Sequence, residues 1–386
     1  MAQCDLLLDV SRLIWRIWSG RLPTGIDRVC YAYLEHYGRR SLAVIQHRKL
    51  RVVLSPCRSQ RLFALLRERR RPGFRRKLIT LLAGAAIVPG PRPDTRGRIY
   101  LNVGHTGLDA PGLSGWLDER GWKPVFMVHD LIPISHPEFC RPGEAQRHRL
   151  RMRTVVENAA GVIVNSKATR ATFCEFAARE PRPAPPTLVA WLATMGETET
   201  AADVPSLSRP TFVMIGTIEA RKNHIMLLRL WERLAAELRE KAPRLVLIGQ
   251  RGWEADDVFA LLDGSELLKG HVLELDACDD AALRAWLKQA RALLMPSFAE
   301  GFGIPVIEAL EAGAPVIASD QPVFREIAGD IPLYVDSRDE RGWEAAIRAY
   351  SNDDPDRARQ IAALAAYRRF SWDDHFAAVD SWLANL

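Results

Sequence analysis

Three segments carry residue types at spacings that suit chemistry on phosphates and hydroxyls. After the apolar run 212–215 comes Gly216-Thr217-Ile-Glu-Ala-Arg221-Lys222-Asn223-His224, leading into a helical pattern over 225–234. With Asn223 as the expected N-cap, Arg221 and Lys222 lie beside a helix N-terminus, where two cations and the positive helix end together favour a diphosphate. Two solvated loop cations would fit the same residues.

The second segment, Pro296-Ser-Phe-Ala-Glu300-Gly-Phe302-Gly303-Ile304-Pro305-Val-Ile-Glu308-Ala-Leu-Glu311-Ala-Gly313, reads as a strand end, a glycine loop and a short helix. Gly301 and Gly303 let the backbone approach a ligand, Pro305 suits the first helical position and Gly313 its end. Glu300 and Glu308 are acceptors able to chelate vicinal hydroxyls. Glu308 follows Val306-Ile307 and precedes Ala309-Leu310, so its carboxylate needs a partner.

In the third, the run 125–128 ends in His129-Asp130. Imidazole there can donate to a hydroxyl or to developing charge with Asp130 orienting it, and a purely structural role fits equally. A loop after 6–10 reaches Pro23-Thr24-Gly25-Ile26-Asp27-Arg28, and 161–164 runs into Asn165-Ser166-Lys167. Asp354-Pro355-Asp356 has a metal-diphosphate spacing but reads better as N-cap and first helical turn. No metal site is expected, and neither a P-loop nor a GxGxxG follows any strand.

The elements that position these residues are legible. Apolar runs at 6–10, 98–103, 125–128, 161–164, 187–192, 211–215, 245–248, 271–275, 292–295 and 315–318 alternate with helical patterns. Runs this short and continuous fit parallel strands covered on both faces, hence two doubly wound α/β domains. The proline-rich stretch 180–186 and the polar stretch 197–210 place a boundary near residue 205. The expected domains are 1–204 and 205–366. A closing helix over 367–386 carries an apolar stripe of Trp372, Phe376 and Trp382.

Composition narrows the partners. Residues 1–195 carry 32 Lys+Arg against 15 Asp+Glu and the remainder 21 against 32, so a basic half that suits an anionic partner joins an acidic one. Cys4, Cys30, Cys57, Cys140, Cys174 and Cys278 form no CxxC pair, which fits a reducing compartment without structural zinc. Asp5 and Asp9 interrupt the first apolar run, so no signal peptide is expected. The apolar stretch 78–90 is far shorter than the ~20 residues of a membrane-spanning helix.

Taken together, Gly216 to Asn223, Leu245 to Gly249, Leu275 to Leu283, Pro296 to Leu310 and Pro315 to Asp320 resemble the GT-B retaining glycosyltransferases of family 4. The first half resembles them more weakly through Thr24 to Arg28, Val128 to Leu131 and Val162 to Ser166. The resemblance implies two Rossmann-like domains facing a central crevice, with the closing helix crossing back to the first. It implies that Arg221 and Lys222 hold a donor diphosphate near Gly216, Thr217 and Gly249, and that Glu308 holds the ribose. Glu300, with the backbone of Phe302, Gly303 and Ile304, would hold the transferred sugar, and His129 would lie against it. Gly25, Asp27, Arg28 and Asp130 would lie on the acceptor side. Where many relatives carry Arg after the loop-opening Gly, this chain has Thr217.

The expected activity is metal-independent hexose transfer from a nucleoside diphosphate sugar, with no further cofactor. The acceptor would be a saccharide or a polyprenyl-diphosphate-linked oligosaccharide of a bacterial-type surface polysaccharide; only the resemblance favours mannose or rhamnose. Nine cations between Arg58 and Lys77, interleaved with Leu62, Phe63, Leu65, Leu66 and Phe74, suit an anionic membrane surface. The expected place is cytoplasmic and peripheral, at the inner face of the plasma membrane. A nucleotide-sugar epimerase shares the architecture but would need acid and base carboxylates in its crevice. A nucleic-acid-binding protein would use the Arg-rich segment, yet no recognised module is present.

Overall fold

The computed structural model describes residues 5–21, 23–48, 50–68, 73–87, 94–194, 204, 208–276 and 278–386. The expected boundary near 205 and the cations Arg69, Arg70 and Arg71 lie outside them.

The continuous apolar runs form strands that are buried along most of their length, except those at Thr187–Val189 and Val272–Leu275, which are half-buried. The first sheet comprises β1 (Leu6–Asp9), β2 (Ser41–His47), β3 (Leu50–Val53), β4 (Ile99–Asn102), β5 (Lys123–Val128), β6 (Gly161–Val164) and β7 (Thr187–Val189). Their order is β3-β2-β1-β4-β5-β6-β7, parallel except for the β2–β3 hairpin. The second comprises β8 (Thr211–Ile215), β9 (Arg244–Ile248), β10 (Val272–Leu275), β11 (Ala292–Met295), β12 (Val316–Ser319) and β13 (Leu333–Val335). It is wholly parallel in the order β10-β9-β8-β11-β12-β13. That is the doubly wound order, which opens a ligand crevice outside the carboxyl ends where it reverses, between β8 and β11.

The sequence reading has no strand at β2, β3 or β13. The β2–β3 turn lacks the usual Gly, Asn or Asp, and Arg48 takes the left-handed conformation instead (φ 54°). β13 is a half-buried edge strand of three residues, too short to stand out.

Contacts divide the chain into one unit of Met1–Leu131, Gln146–Leu192 and Trp372–Leu386, and another of Ile132–Ala145 and Ala193–Ser371. The second unit is centred on the buried Phe212, Trp231, Leu294, Trp343 and Tyr350. In the first, the closing helix runs over Trp372–Leu383, shorter than expected because 367–371 is not helical. It packs on the helix Gly25–Tyr37: Phe376 stacks on His36 at 4.0 Å, the Tyr33 hydroxyl meets His375 Nε2 at 3.0 Å, and Tyr37 donates to Asp380 at 3.0 Å. Trp382 lies over the start of β6, where a Cβ on Gly161 would come within 2.3 Å of its ring.

Gly161→Ala is therefore expected to destabilise the first unit by about 1–3 kcal/mol through overpacking. Thermal denaturation measures the loss, and Trp382→Leu in the same background should recover part of it. An unchanged melting temperature in Gly161→Ala would show that the ring moves aside without cost.

Candidate active site

At the end of β8 the backbone is packed closely enough to need glycine. A Cβ on Gly249 would lie 2.0 Å from the Gly216 carbonyl, and one on Gly216 (φ 131°) would lie 2.7 Å from Lys222 Cε. The bare backbone at 216 is what lets the Lys222 side chain cross the strand end. Ala220–Lys222 form one 3-10 turn before the helix His224–Leu238. Asn223 does not cap that helix with its side chain; it supplies a left-handed residue (φ 60°) and donates to the Ser337 carbonyl at 2.9 Å. Arg221 and Lys222 do stand beside the helix start.

These two cations are already occupied by carboxylates. Lys222 Nζ is 2.8 Å from Glu300 Oε1, and Arg221 reaches Glu300 Oε2 and Glu219 Oε1 at 2.7 Å each. The Ser297 hydroxyl also donates to Glu300 Oε1 at 2.8 Å. Arg221 donates to the Ala299 carbonyl, and its own carbonyl accepts from Phe298 N–H, both at 2.8 Å. Lys222 and Glu219 are only 5% and 4% exposed. Burial raises the Glu300 pKa, but the charges and hydrogen bonds of Arg221 and Lys222 outweigh it and hold the carboxyl at about 2. Next to them His224 is buried with Nδ1 unpartnered; burial and the neighbouring cations bring it down to about 3.

The loop after β11 ends at Gly303 (φ 98°), where a Cβ would meet the Phe324 ring at 2.6 Å. The helix Ile304–Glu311 follows, with Pro305 in its first turn. It closes as a Schellman motif: Gly313 N–H donates to Leu310 and Ala314 N–H to Ala309. Phe302 is buried. Glu308 is half-buried on a helix whose Val306, Ile307, Ala309 and Leu310 are core residues. Gly216, Thr217, Gly249, Phe302, Gly303, Ile304 and Glu308 thus all follow the carboxyl ends of β8, β9 and β11. Glu219, Ser297 and His224 were missed; an acid two residues before Arg221 was the available signal for the first.

In the first unit, His129 follows β5 and is 4% exposed. Its Nε2 donates to the Val103 carbonyl at 2.7 Å, which fixes the tautomer and leaves Nδ1 as an acceptor. Burial lowers its pKa to about 4. The ring is therefore neutral at pH 7 and oriented by Val103 rather than by an Asp130 side-chain hydrogen bond, so the N–H expected to donate to a hydroxyl or to developing charge is already spent. The Asp130 carbonyl instead accepts from His148 at 3.1 Å. His105, whose Nε2 donates to Met127 O at 2.7 Å, lies 5.2 Å from His129 and 5.8 Å from His148 between ring centres.

Gly25 opens its helix behind a capping box: the Thr24 N–H and hydroxyl both donate to Asp27 Oδ2, at 2.7 and 2.8 Å. Asp27 is fully buried and also pairs with Arg12 and Arg16, at 2.7 and 2.8 Å. Its oxygens are committed to holding the loop. Arg28 is half-buried on the same first turn. Asp354 caps the helix Pro355–Leu364 through Asp356 N–H and Arg357 N–H, as its spacing suggests.

Known proteins share this fold. The doubly wound units are matched by the crystal structure of Anabaena Alr3699/HepE in complex with UDP, at TM-score 0.68 and 16% identity over 100% of both chains. Sucrose-phosphate synthase from Thermosynechococcus elongatus matches at TM-score 0.62 and 15% identity over 98% of each. The fold is GT-B. Residues 197–366 match the family described as glycosyl transferases group 1. The serotype-specific mannosyltransferase WbdA of Escherichia coli is 30% identical over 227 residues, 54% of this chain and 27% of that protein. O-antigen chain mannosyltransferase B of Escherichia coli is 37% identical over 163 residues, 42% of each. The chain therefore spans less than half the length of either relative.

Two outcomes are expected. Glu300→Gln removes one of the two carboxylates neutralising Arg221 and Lys222. Inorganic pyrophosphate, followed by calorimetry, should then bind about five- to thirtyfold more tightly, the equivalent of about 1–2 kcal/mol. Unchanged or weaker binding would mean that Glu300 does not compete for the cations.

The second concerns acid. Burial lowers the pKa of His105, His129 and His375 below the usual histidine value, to about 4 for the last two. Below pH ~6.5 the unfolded chain takes up these protons and the folded unit does not, so stability falls by about 1.4 kcal/mol per pH unit per histidine. The window runs from pH ~6.5 down to about 4. Melting temperatures should drop steeply between pH 6.5 and 5, and a flat profile there would contradict the buried neutral rings.

Proposed function

We propose that the chain transfers a hexose from a nucleoside diphosphate sugar to a saccharide or polyprenyl-diphosphate-linked acceptor, with retention at the anomeric carbon. The observation that carries this reading is the Arg221–Lys222–Glu300 cluster at the β8–β11 reversal, where a doubly wound sheet takes its ligand. Mannosyltransferases among the relatives make mannose the favoured hexose. Arg221 and Lys222 would take the charge of the leaving diphosphate, aided by the free N–H groups where the helices His224–Leu238 and Ile304–Glu311 begin. Glu300 would exchange part of its ion pairing for hydroxyls of the transferred sugar, and Glu308 would bind the ribose. The neutral His129 would present Nδ1 as an acceptor for a sugar hydroxyl. The diphosphate itself would accept the proton of the attacking hydroxyl on the same face, so a side-chain base and a metal are both dispensable in this scheme.

Association with the cytoplasmic face of an anionic membrane is part of the reading, on altered footing. Leu62, Phe63, Leu65, Leu66 and Phe74 are core residues, at most 8% exposed, and cannot anchor in lipid. The helix Pro56–Arg67 uses the first four of them to pack beside β2, while Arg67 pairs with Glu35 and Lys77 with Glu68. The support that stands is the exposed Arg61 and Arg76 with Trp15 and Ile79, which are 56% and 54% exposed. Among the described residues no helix is long and apolar enough to cross a membrane.

Thermal-shift titration with GDP-mannose, UDP-glucose and dTDP-rhamnose tests the donor, since the one that binds must raise stability by mass action. Glu308→Ala should weaken that donor by about 1.5–3 kcal/mol, and transfer should survive EDTA. No shift with any nucleotide sugar would remove the reading, and a metal requirement restored by Mg²⁺ or Mn²⁺ would remove its cation-only account of the leaving group.

A further inference from the structure

The segment Ile132–Ala145 leaves the first unit two residues after His129 and belongs by its contacts to the second. It is built to hold a shape. The helix Ile132–Ser135 and the 3-10 turn Pro137–Phe139 are closed by His136 N–H to Ile132 O at 2.8 Å and Cys140 N–H to Pro137 O at 3.1 Å. Pro133, Pro137 and Pro142 cut the freedom it would otherwise have. Two contacts fasten it. Phe139 stacks on Phe298 with ring centres 4.8 Å apart and planes 4° apart, and His136 stacks behind Phe139 at 6.2 Å and 17°. Arg141 lies 5.1 Å over the ring of Trp253.

Phe298 is not an arbitrary partner. Its N–H donates to Arg221 O, Ser297 before it donates to Glu300, and Ala299 after it accepts from Arg221. The loop continues into Gly301 and Gly303, so its own backbone supplies little stiffness. The Phe298 ring is the one large apolar handle between Ser297 and Glu300. A stacked aromatic pair held off by a second ring fixes such a handle in both tilt and position.

We propose that Ile132–Ala145 is a clamp on the Glu300 loop, with Phe139 as a positioning residue for the transfer step. Through Phe298 it keeps Ser297, Glu300 and the Ala299 carbonyl where they hold Lys222 and Arg221. The inference rests on the glycosyltransferase reading for its catalytic consequence, and on geometry alone for the clamp.

Hydrogen exchange and donor turnover in Phe139→Ala, Phe298→Ala, the double variant and Phe139→Tyr separate the two. Turnover is read as nucleotide release in water from GDP-mannose, UDP-glucose or dTDP-rhamnose, whichever the thermal shift selects, so no acceptor is needed. Amides of 297–301 should exchange at least tenfold faster in Phe139→Ala, with those of β11 unchanged. Each alanine variant should lower kcat about tenfold with donor KM within about twofold, the double variant should be no worse than the poorer single one, and Phe139→Tyr should behave as the parent. Unchanged exchange at 297–301, additive losses, or failure of Phe139→Tyr to restore turnover would overturn the clamp. Absence of turnover with all three donors would count against the glycosyltransferase reading, while the exchange data would still decide the clamp.

Discussion

The second unit's site is organised around four charges that cancel one another, the buried Glu219 and Lys222 and the half-buried Arg221 and Glu300. A buried cation without a partner costs several kcal/mol, so a fold that stores Arg221 and Lys222 near the carboxyl ends of its strands must give each an acid. Glu300 serves both and Glu219 serves Arg221. Much of the local structure follows from that need. Gly216 clears the path of Lys222, Asn223 turns the chain so that the 3-10 turn can precede the helix, and Ser297 fills a remaining acceptor position on Glu300.

Neutrality shapes what such a site can do. A diphosphate approaching two free cations would bind tightly and leave slowly, whereas the proposed donor would have to share Arg221 and Lys222 with the carboxylates already in place. Under the proposed reaction, only an interaction that strengthens as charge develops on the leaving group would accelerate the step, and that requires the carboxylates to yield the cations at that point. Thr217 fits the same picture, because an arginine there would tip the cluster toward net positive charge.

The sheets were largely legible because parallel strands buried on both faces leave continuous apolar runs, and β6, β8 and β11 fall where those runs fall. Arg221, Lys222 and Glu300 were legible for a related reason: the ends of such strands are where a doubly wound sheet presents side chains. What the sequence withheld is direction. Leu62 to Leu66 read as membrane anchors because a helical segment rich in arginine has the same composition whether its leucines face lipid or a sheet; burial decides for the sheet. Asp27 read as an acceptor-side carboxylate, yet Arg12 and Arg16, 15 and 11 positions earlier, claim it, a pairing that sequence distance does not advertise. His129 was placed correctly at a strand end, but its proton goes to a backbone carbonyl that no motif encodes.

The first unit meets the burial problem differently, and the contrast bears on how the halves divide their work. Its strand ends carry buried, hydrogen-bonded groups: Asp9 accepts from Tyr100, Gln46 and the Ser11 N–H, and burial raises its pKa despite those bonds. His105, His129 and His148 each spend Nε2 on a carbonyl. A buried network of this kind offers directional acceptors and donors, the chemistry that a hydroxyl can meet. The net +17 of residues 1–195 is carried mostly by arginines outside this network, the exposed Arg61 and Arg76 among them. The surface charge of this unit and its buried hydrogen-bonding network are thus carried by different residues, so one can change without disturbing the other.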